Sequence, residues 1–205
     1  MSLDCRRCPE LAACRTQIVL ATPCCYGGLL AIGEAPGAVE DRQGEGFIGM
    51  AGRTLDTLLA ENGIGRDDYG RANICRCRPP GNRKPTPAEV AACLPFLAQL
   101  LQEVQPSVVL AVGATPAAVF CGKGSLHSRI LERRNAANWS ARSGIGFAHP
   151  GIAAALAHVR HVVPMPHTSP LAFNRNAPSG EKWAVVAREQ VRVAVALLHS
   201  RKERG

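Results

Sequence analysis

No apolar run in this chain of 205 residues is long enough to cross a bilayer, because Arg, Gly, Pro or His interrupts each one. The opening MSLDCRRCPE lacks the apolar core of a signal peptide, which points to a cytoplasmic protein with no membrane partner. Internal repeats and low-complexity tails are also missing, so a single domain over 1–205 is expected, with at most a small appendage. Lysine is scarce. The great majority of the 24 Lys+Arg residues are arginines, against 16 Asp+Glu, for a net charge of +8. Arginine grips phosphate through a planar fork, so the excess fits a nucleic-acid partner, while a generally basic surface accounts for the same numbers. Cysteine is what the chain has in plenty. There are nine, an odd count, and Cys-x-x-Cys spacing in a chain with no export signal suggests metal or redox chemistry before disulfides.

Four short runs rich in Val, Ile and Leu read as buried strands: LLAIG (29–33), ANI (72–74), SVVLAVG (107–113) and HVVPM (161–165). Amphipathic stretches separate them. In 51-AGRTLDTLLAENG-63, Leu55, Leu58 and Leu59 share one face, and Gly63 suits the C-terminal cap. In 86-TPAEVAACLPFLAQLLQEV-104, Thr86 is the N-cap, Pro87 fits the first helical position and Glu89 completes a capping box. Val90, Leu94, Leu97 and Leu101 form the stripe of that helix, which Pro95 is expected to disturb. A final helix covers 182–199. This alternation predicts an α/β fold, a three-layer αβα sandwich around a central, mainly parallel four-stranded sheet. The stretch 122–158 is the least regular and reads as a long surface insertion.

In such a sheet, ligands bind beyond the C-terminal ends of the strands. Three polar motifs fall there: GEAPGAVED (33–41), Asn73 with the Cys-Arg-Pro loop after it, and PHTSPLAFNRNAP (166–178). The first has no P-loop lysine and no third glycine of a dinucleotide fingerprint. Phe47, in GFIGMAG, is flanked by glycines that could hold it exposed for stacking on a planar ligand, whereas taken alone it reads as core.

The strings GEAPGAVEDRQGEGFIGMAGRTLD and NICRCRPPGNRKPTPAEVAAC, with a His-x-Ser motif near the C-terminus, resemble the family-4 uracil-DNA glycosylases, iron–sulfur members of the uracil-DNA glycosylase superfamily. The similarity runs from Cys5 to about Leu198. It implies a [4Fe–4S] cluster on Cys5, Cys8, Cys77 and Cys93, pinning an N-terminal segment of about 1–25 to the body of the domain. Four thiolates suit zinc equally well on chemistry alone. Cys14, Cys24, Cys25, Cys75 and Cys121 are expected as free thiols, with Cys75 pointing away from Cys77.

The resemblance also implies roles in extruding a uridine from DNA and breaking its N-glycosidic bond. Asn73 would read the uracil edge, Phe47 would stack on the ring, and the backbone from Ala35 to Gly37 would close the pocket. His167 would stabilise the departing uracil anion. The aspartate that many relatives carry in the first motif is Ala35 here, which leaves Glu34 to orient water or, alternatively, to hold the turn through backbone amides. HTSPLAFNRNAP departs from the usual second motif and looks more like the family-1 loop. That similarity makes Leu171 the wedge candidate, Ser169 a phosphate contact and Arg175 a backbone or strand-gap contact. The loop RPPGNRKPTPAEVAA holds no histidine to trap an abasic product, and neither GEAPGAVED nor PHTSPLAFNRNAP holds a lysine for a lyase step. The expectation is a monomeric, monofunctional repair glycosylase acting on single- or double-stranded DNA containing uracil. Its rivals are a non-catalytic iron–sulfur protein that binds uracil or abasic DNA, and a glycosylase shifted toward hypoxanthine.

Overall fold

The computed structural model describes residues 4–135 and 149–200. Strands β1 (Leu29–Gly33), β2 (Tyr69–Asn73), β3 (Val108–Val112) and β4 (His161–Met165) form one parallel sheet in the order β2-β1-β3-β4. The helices are α1 (Pro9–Cys14), α2 (Ala38–Gln43), α3 (Met50–Ala60), α4 (Pro87–Val104), α5 (Ala114–Cys121), α6 (Leu126–Asn135), α7 (Pro150–Ala153), α8 (Pro170–Phe173) and α9 (Trp183–His199).

The strands are apolar on both faces, and their alternation sorts two cores. Leu30 and Ile32 of β1 pack with Leu94, Leu97 and Leu101 of α4, whereas Leu29 and Ala31 pack with Leu55 and Leu58 of α3 and Val191 of α9. The sheet is thus the middle of three layers, and it is wholly parallel. Among the described residues, no helix is long and apolar enough to cross a membrane.

Helix α4 starts as its sequence dictates. The Glu89 amide donates to Thr86 Oγ1 at 3.2 Å and the Thr86 amide to the Glu89 carboxylate at 2.7 Å, while Arg83 pairs with both Glu89 oxygens at 2.9 and 2.7 Å. That Arg83 hydrogen bond, with the helix-capping amide, draws the Glu89 carboxyl down to about 2.

Several boundaries differ from the sequence reading. Helix α4 continues through Pro95, because Pro95 and Ala91, whose carbonyl loses its partner, are solvent-exposed while the leucine stripe stays buried. A proline costs about 3 kcal/mol in a helix, and each buried leucine contributes about 1.5–3 kcal/mol. Strand β2 begins three residues before 72–74. Its polar start is hidden by Arg71, which is 5% exposed and donates to the Arg66 and Tyr69 carbonyls while stacking over the Tyr69 ring. Helix α3 stops at Ala60, and Gly63, at φ +77°, turns the chain after it. The stretch 122–158 is not simply a surface insertion. Ile152, Ala155, Leu156 and Val159 join the α4 core, and Ile130 is buried with Ala177 and Val186. The part of that stretch from 136 to 148 lies outside the described residues.

Candidate active site

The C-terminal ends of all four strands border one cleft of about 650 Å³. Glu34 and Gly37 follow β1, Asn73 ends β2, Gly113 follows β3, and His167 and Ser169 follow β4. A parallel sheet brings loops remote in sequence to one edge, so three separate motifs meet. At the floor, a Cβ on Gly33 would stand 2.4 Å from Asn73 Oδ1 and 2.9 Å from Phe47 Cζ. Only glycine lets the carboxamide and the ring approach so closely.

The wall on the β1 side is pinned by many bonds. Phe47 adopts the left-handed region at φ +60°, unusual for a bulky residue, and its surroundings hold it there. Arg66 donates to the Phe47 carbonyl at 3.0 Å and the Gly46 carbonyl at 3.2 Å, and pairs with Asp56 at 2.8 Å and Glu45 at 2.7 Å. A Cβ on Gly52 of α3 would lie 1.9 Å from the Phe47 carbonyl oxygen, so the helix fits only with glycine there. Phe47 is 8% exposed; it packs in the α3–α9 core and also borders the cleft. The Glu40 carboxylate accepts from the Gly49 amide at 2.9 Å, and buried Asp41 accepts from the Thr16 amide with both oxygens at 3.1 Å. Ala35 and Gly37 line the cleft beside them.

The wall on the β4 side is looser. The Ser169 amide donates to His167 Nδ1 at 3.1 Å, so a neutral His167 carries its proton on Nε2. Burial lowers the His167 pKa from the ordinary 6.5, and the Glu34 carboxylate opposes that shift. Glu34 accepts from the Thr115 hydroxyl, and no backbone amide among the described residues caps its carboxylate. Thr168 is fully buried and donates to the Ala51 carbonyl at 2.7 Å, tying the His167 loop to the start of α3. Beyond it Leu171 is 73% exposed on α8, and Arg175 is exposed after the helix.

The predicted cysteine ligands gather in one corner. Cys5 and Cys8 pack against buried Cys77, together with Leu11 and Ile18. Burial and then the neighbouring Cys93, Glu89, Cys77 and Cys5 push the Cys8 thiol up to about 11. Arg15 reaches Cys77 Sγ at 3.3 Å, and Arg7 and Arg76 flank Phe96 with their guanidinium carbons 4.9 and 3.7 Å from its ring centre. Among the described residues, however, no group of three or more His, Cys, Asp or Glu side chains is arranged to hold a metal ion. Cys75 packs beside Cys93 in the core under α4, apart from the group of Cys5, Cys8 and Cys77. Its thiol hydrogen-bonds to Cys93, which keeps Cys75 protonated and draws Cys93 down. The Cys75 amide bonds the Glu34 carbonyl at 2.9 Å in the turn after β2. Four soft thiols with three guanidiniums nearby are a donor set and charge environment that fit an iron–sulfur cluster.

Sequence reasoning passed over Arg66, Gly52, Thr115 and Thr168. Gly52 carried a signal in its place within GFIGMAG; the other three act through partners remote in sequence, which no local pattern reveals.

A model of the Uracil DNA glycosylase superfamily matches residues 27–191. The chain is 40% identical over 135 residues to the Type-4 uracil-DNA glycosylase of Thermotoga maritima, covering 66% of this chain and 69% of that protein. It is 39% identical over 111 residues to the Type-4 uracil-DNA glycosylase of Archaeoglobus fulgidus, with 54% and 55% covered, and 44% identical over 86 residues to that of Pyrobaculum aerophilum, with 42% and 44% covered. Against the latter two proteins the matched stretch spans about half of their length. With the parallel sheet, the cleft at its strand ends and a match across most of its length, this chain belongs to the uracil DNA glycosylase superfamily.

Proposed function

We propose that the protein is a monofunctional uracil-DNA glycosylase of DNA repair, which flips uracil out of DNA, hydrolyses its N-glycosidic bond and leaves an abasic site. The observation that carries this reading is the convergence of Asn73, Phe47, His167 and Glu34 on a single cleft. The Asn73 carboxamide donates to uracil O4 and accepts from N3–H, a pattern that cytosine reverses. Phe47 stacks on the base, and the backbone from Ala35 to Gly37 closes over it. As the C1′–N1 bond breaks, its electron pair goes to uracil, and His167 Nε2–H donates to the charge building on O2. Water adds to C1′ of the cationic sugar and gives up its proton to Glu34, which takes the place of the aspartate absent at Ala35. Ser169 and Arg175 hold the DNA backbone, and the exposed Leu171 fills the stack that the base has left.

Cys5, Cys8, Cys77 and Cys93 would hold a [4Fe–4S] cluster. When bound, the cluster cross-links the segment of about 1–25 to α4, and the hydrolysis requires no electron from it. The chain acts as a single-domain cytoplasmic monomer on uracil in single- or double-stranded DNA.

Purified protein incubated with oligonucleotides carrying one uracil, hypoxanthine or abasic site, followed by alkali, tests the reading. Strand breaks at uracil are expected, with about four irons per chain. Tight binding of abasic DNA without any excision would make the protein a non-catalytic binder, and breaks confined to hypoxanthine would move its base preference. Stoichiometric zinc without visible absorbance would replace the cluster by a zinc site.

A further inference from the structure

The loop after β3 borders the cleft, yet none of the motifs in the sequence accounts for it. Gly113 lies under the His167 ring, where a Cβ would stand 3.4 Å from His167 Cδ2. Two residues later, in the first turn of α5, Thr115 is 5% exposed and its hydroxyl donates to Glu34 Oε2. The loop therefore touches both groups to which the proposed reaction gives chemical roles. No protein group among the described residues donates to Glu34 Oε1, so one carboxylate oxygen is held and the other keeps its lone pairs for the cleft.

A glutamate on a turn can swing through several rotamers, and a buried hydrogen bond to one oxygen removes most of that freedom. A helical threonine is restricted to two χ1 rotamers, and here the hydroxyl takes the one that reaches Glu34. This is the arrangement needed to aim a carboxylate at a single water position.

We propose that Thr115 is a positioning residue for the hydrolytic step, holding Glu34 through Oε2 so that Oε1 orients and deprotonates the attacking water. The inference rests on the glycosylase reading above and names a part of its site. Thr115 does not touch the substrate; it acts through Glu34.

The test compares single-turnover uracil excision, over a range of protein concentrations, in wild type, Thr115→Val, Thr115→Ser, Glu34→Gln and the double variant Thr115→Val/Glu34→Gln. Thr115→Val should lower the maximal rate about tenfold while leaving the half-saturating concentration unchanged, because a hydrogen bond to a charged group is lost and no substrate contact is. Thr115→Ser should retain most of the rate. In the Glu34→Gln background, Thr115→Val should add almost nothing, since the two side chains work as one unit. A full additional loss in that background, an equal loss in Val and Ser variants, or a wild-type rate for Thr115→Val overturns the inference. Should Val disturb α5, Thr115→Ala measured against Thr115→Ser carries the same comparison. The two levels separate cleanly. A slow Glu34→Gln with a wild-type Thr115→Val removes only the role of Thr115, whereas a wild-type Glu34→Gln removes the water role of Glu34 and the inference with it.

Discussion

The two walls of the cleft are built differently. On the β1 side, Phe47 sits in a left-handed conformation that Arg66, Gly52 and the Asp56 and Glu45 carboxylates together enforce, and Glu40 and Asp41 tie the preceding turn to its neighbours. On the β4 side, the loop beyond His167 is tied by Thr168 and by the Ser169 amide, after which Leu171 and Arg175 stand in solvent. The difference follows from what each wall meets in the proposed reaction. A flat base of fixed shape is best selected by a rigid pocket, since preorganised groups lose no freedom on binding. A flexible duplex that must be bent and filled suits exposed side chains that order on contact.

His167 stands where the walls join, so replacing it should produce the largest effect. His167→Ala should slow single-turnover uracil excision by about 10²–10³, the usual cost of one donor to developing negative charge, with abasic-DNA binding nearly unchanged. An unaltered rate would remove the imidazole from the chemistry. Next comes the pinned wall. Arg66→Ala frees the Phe47 carbonyl and should lower excision about tenfold on single strands and duplex alike, because a misplaced positioning group costs rate in any substrate. If the loss appeared only on duplex, Arg66 would be serving DNA contact instead. The open wall should respond in the opposite way. Leu171→Ala should cost roughly threefold on duplex and almost nothing on single strands, where there is no stack to fill. Equal losses on both substrates would erase the distinction between the walls.

The smallest expected effect is electrostatic. Nuclear magnetic resonance titration of His167 should give a midpoint below 6.5, falling further in Glu34→Gln, since burial lowers it and Glu34 opposes the shift. The sign for stability follows: the contribution of neutral His167 is fully present above 6.5 and is lost as the pH falls through the lower folded midpoint. A midpoint at or above 6.5 would show that the ring is better hydrated than its surroundings imply.

Much of this was legible in the sequence, and for identifiable reasons. Strands β1 and β4 were readable to the residue because the short apolar runs LLAIG and HVVPM are bounded by polar or turn residues, and Thr86, Pro87 and Glu89 announce the start of α4. Strand β2 was half hidden because Tyr69, Gly70 and Arg71 look like loop until Arg71 Nη1 is seen bonded to the Arg66 and Tyr69 carbonyls. Helix α5 escaped notice because its apolar, proline-containing run has no polar face to mark a period. Asn73, Phe47 and His167 could be singled out because Gly, Pro and Ser surround them in recognisable strings. Arg66 and Thr115 could not. Their partners, Phe47 and Glu34, lie 19 and 81 residues away, and only the fold brings them together.

The central claim is that the floor of the cleft reads a uracil edge, and the most direct measurement is the base preference of Asn73→Asp. Excision of uracil and of cytosine from otherwise identical oligonucleotides would be followed under single-turnover conditions. A carboxylate in that position can accept from the cytosine amino group but cannot donate to uracil O4, so the account predicts that uracil excision falls and the uracil-over-cytosine ratio relaxes or reverses. Unchanged uracil excision, with cytosine still rejected, would contradict it and take Asn73 out of base recognition.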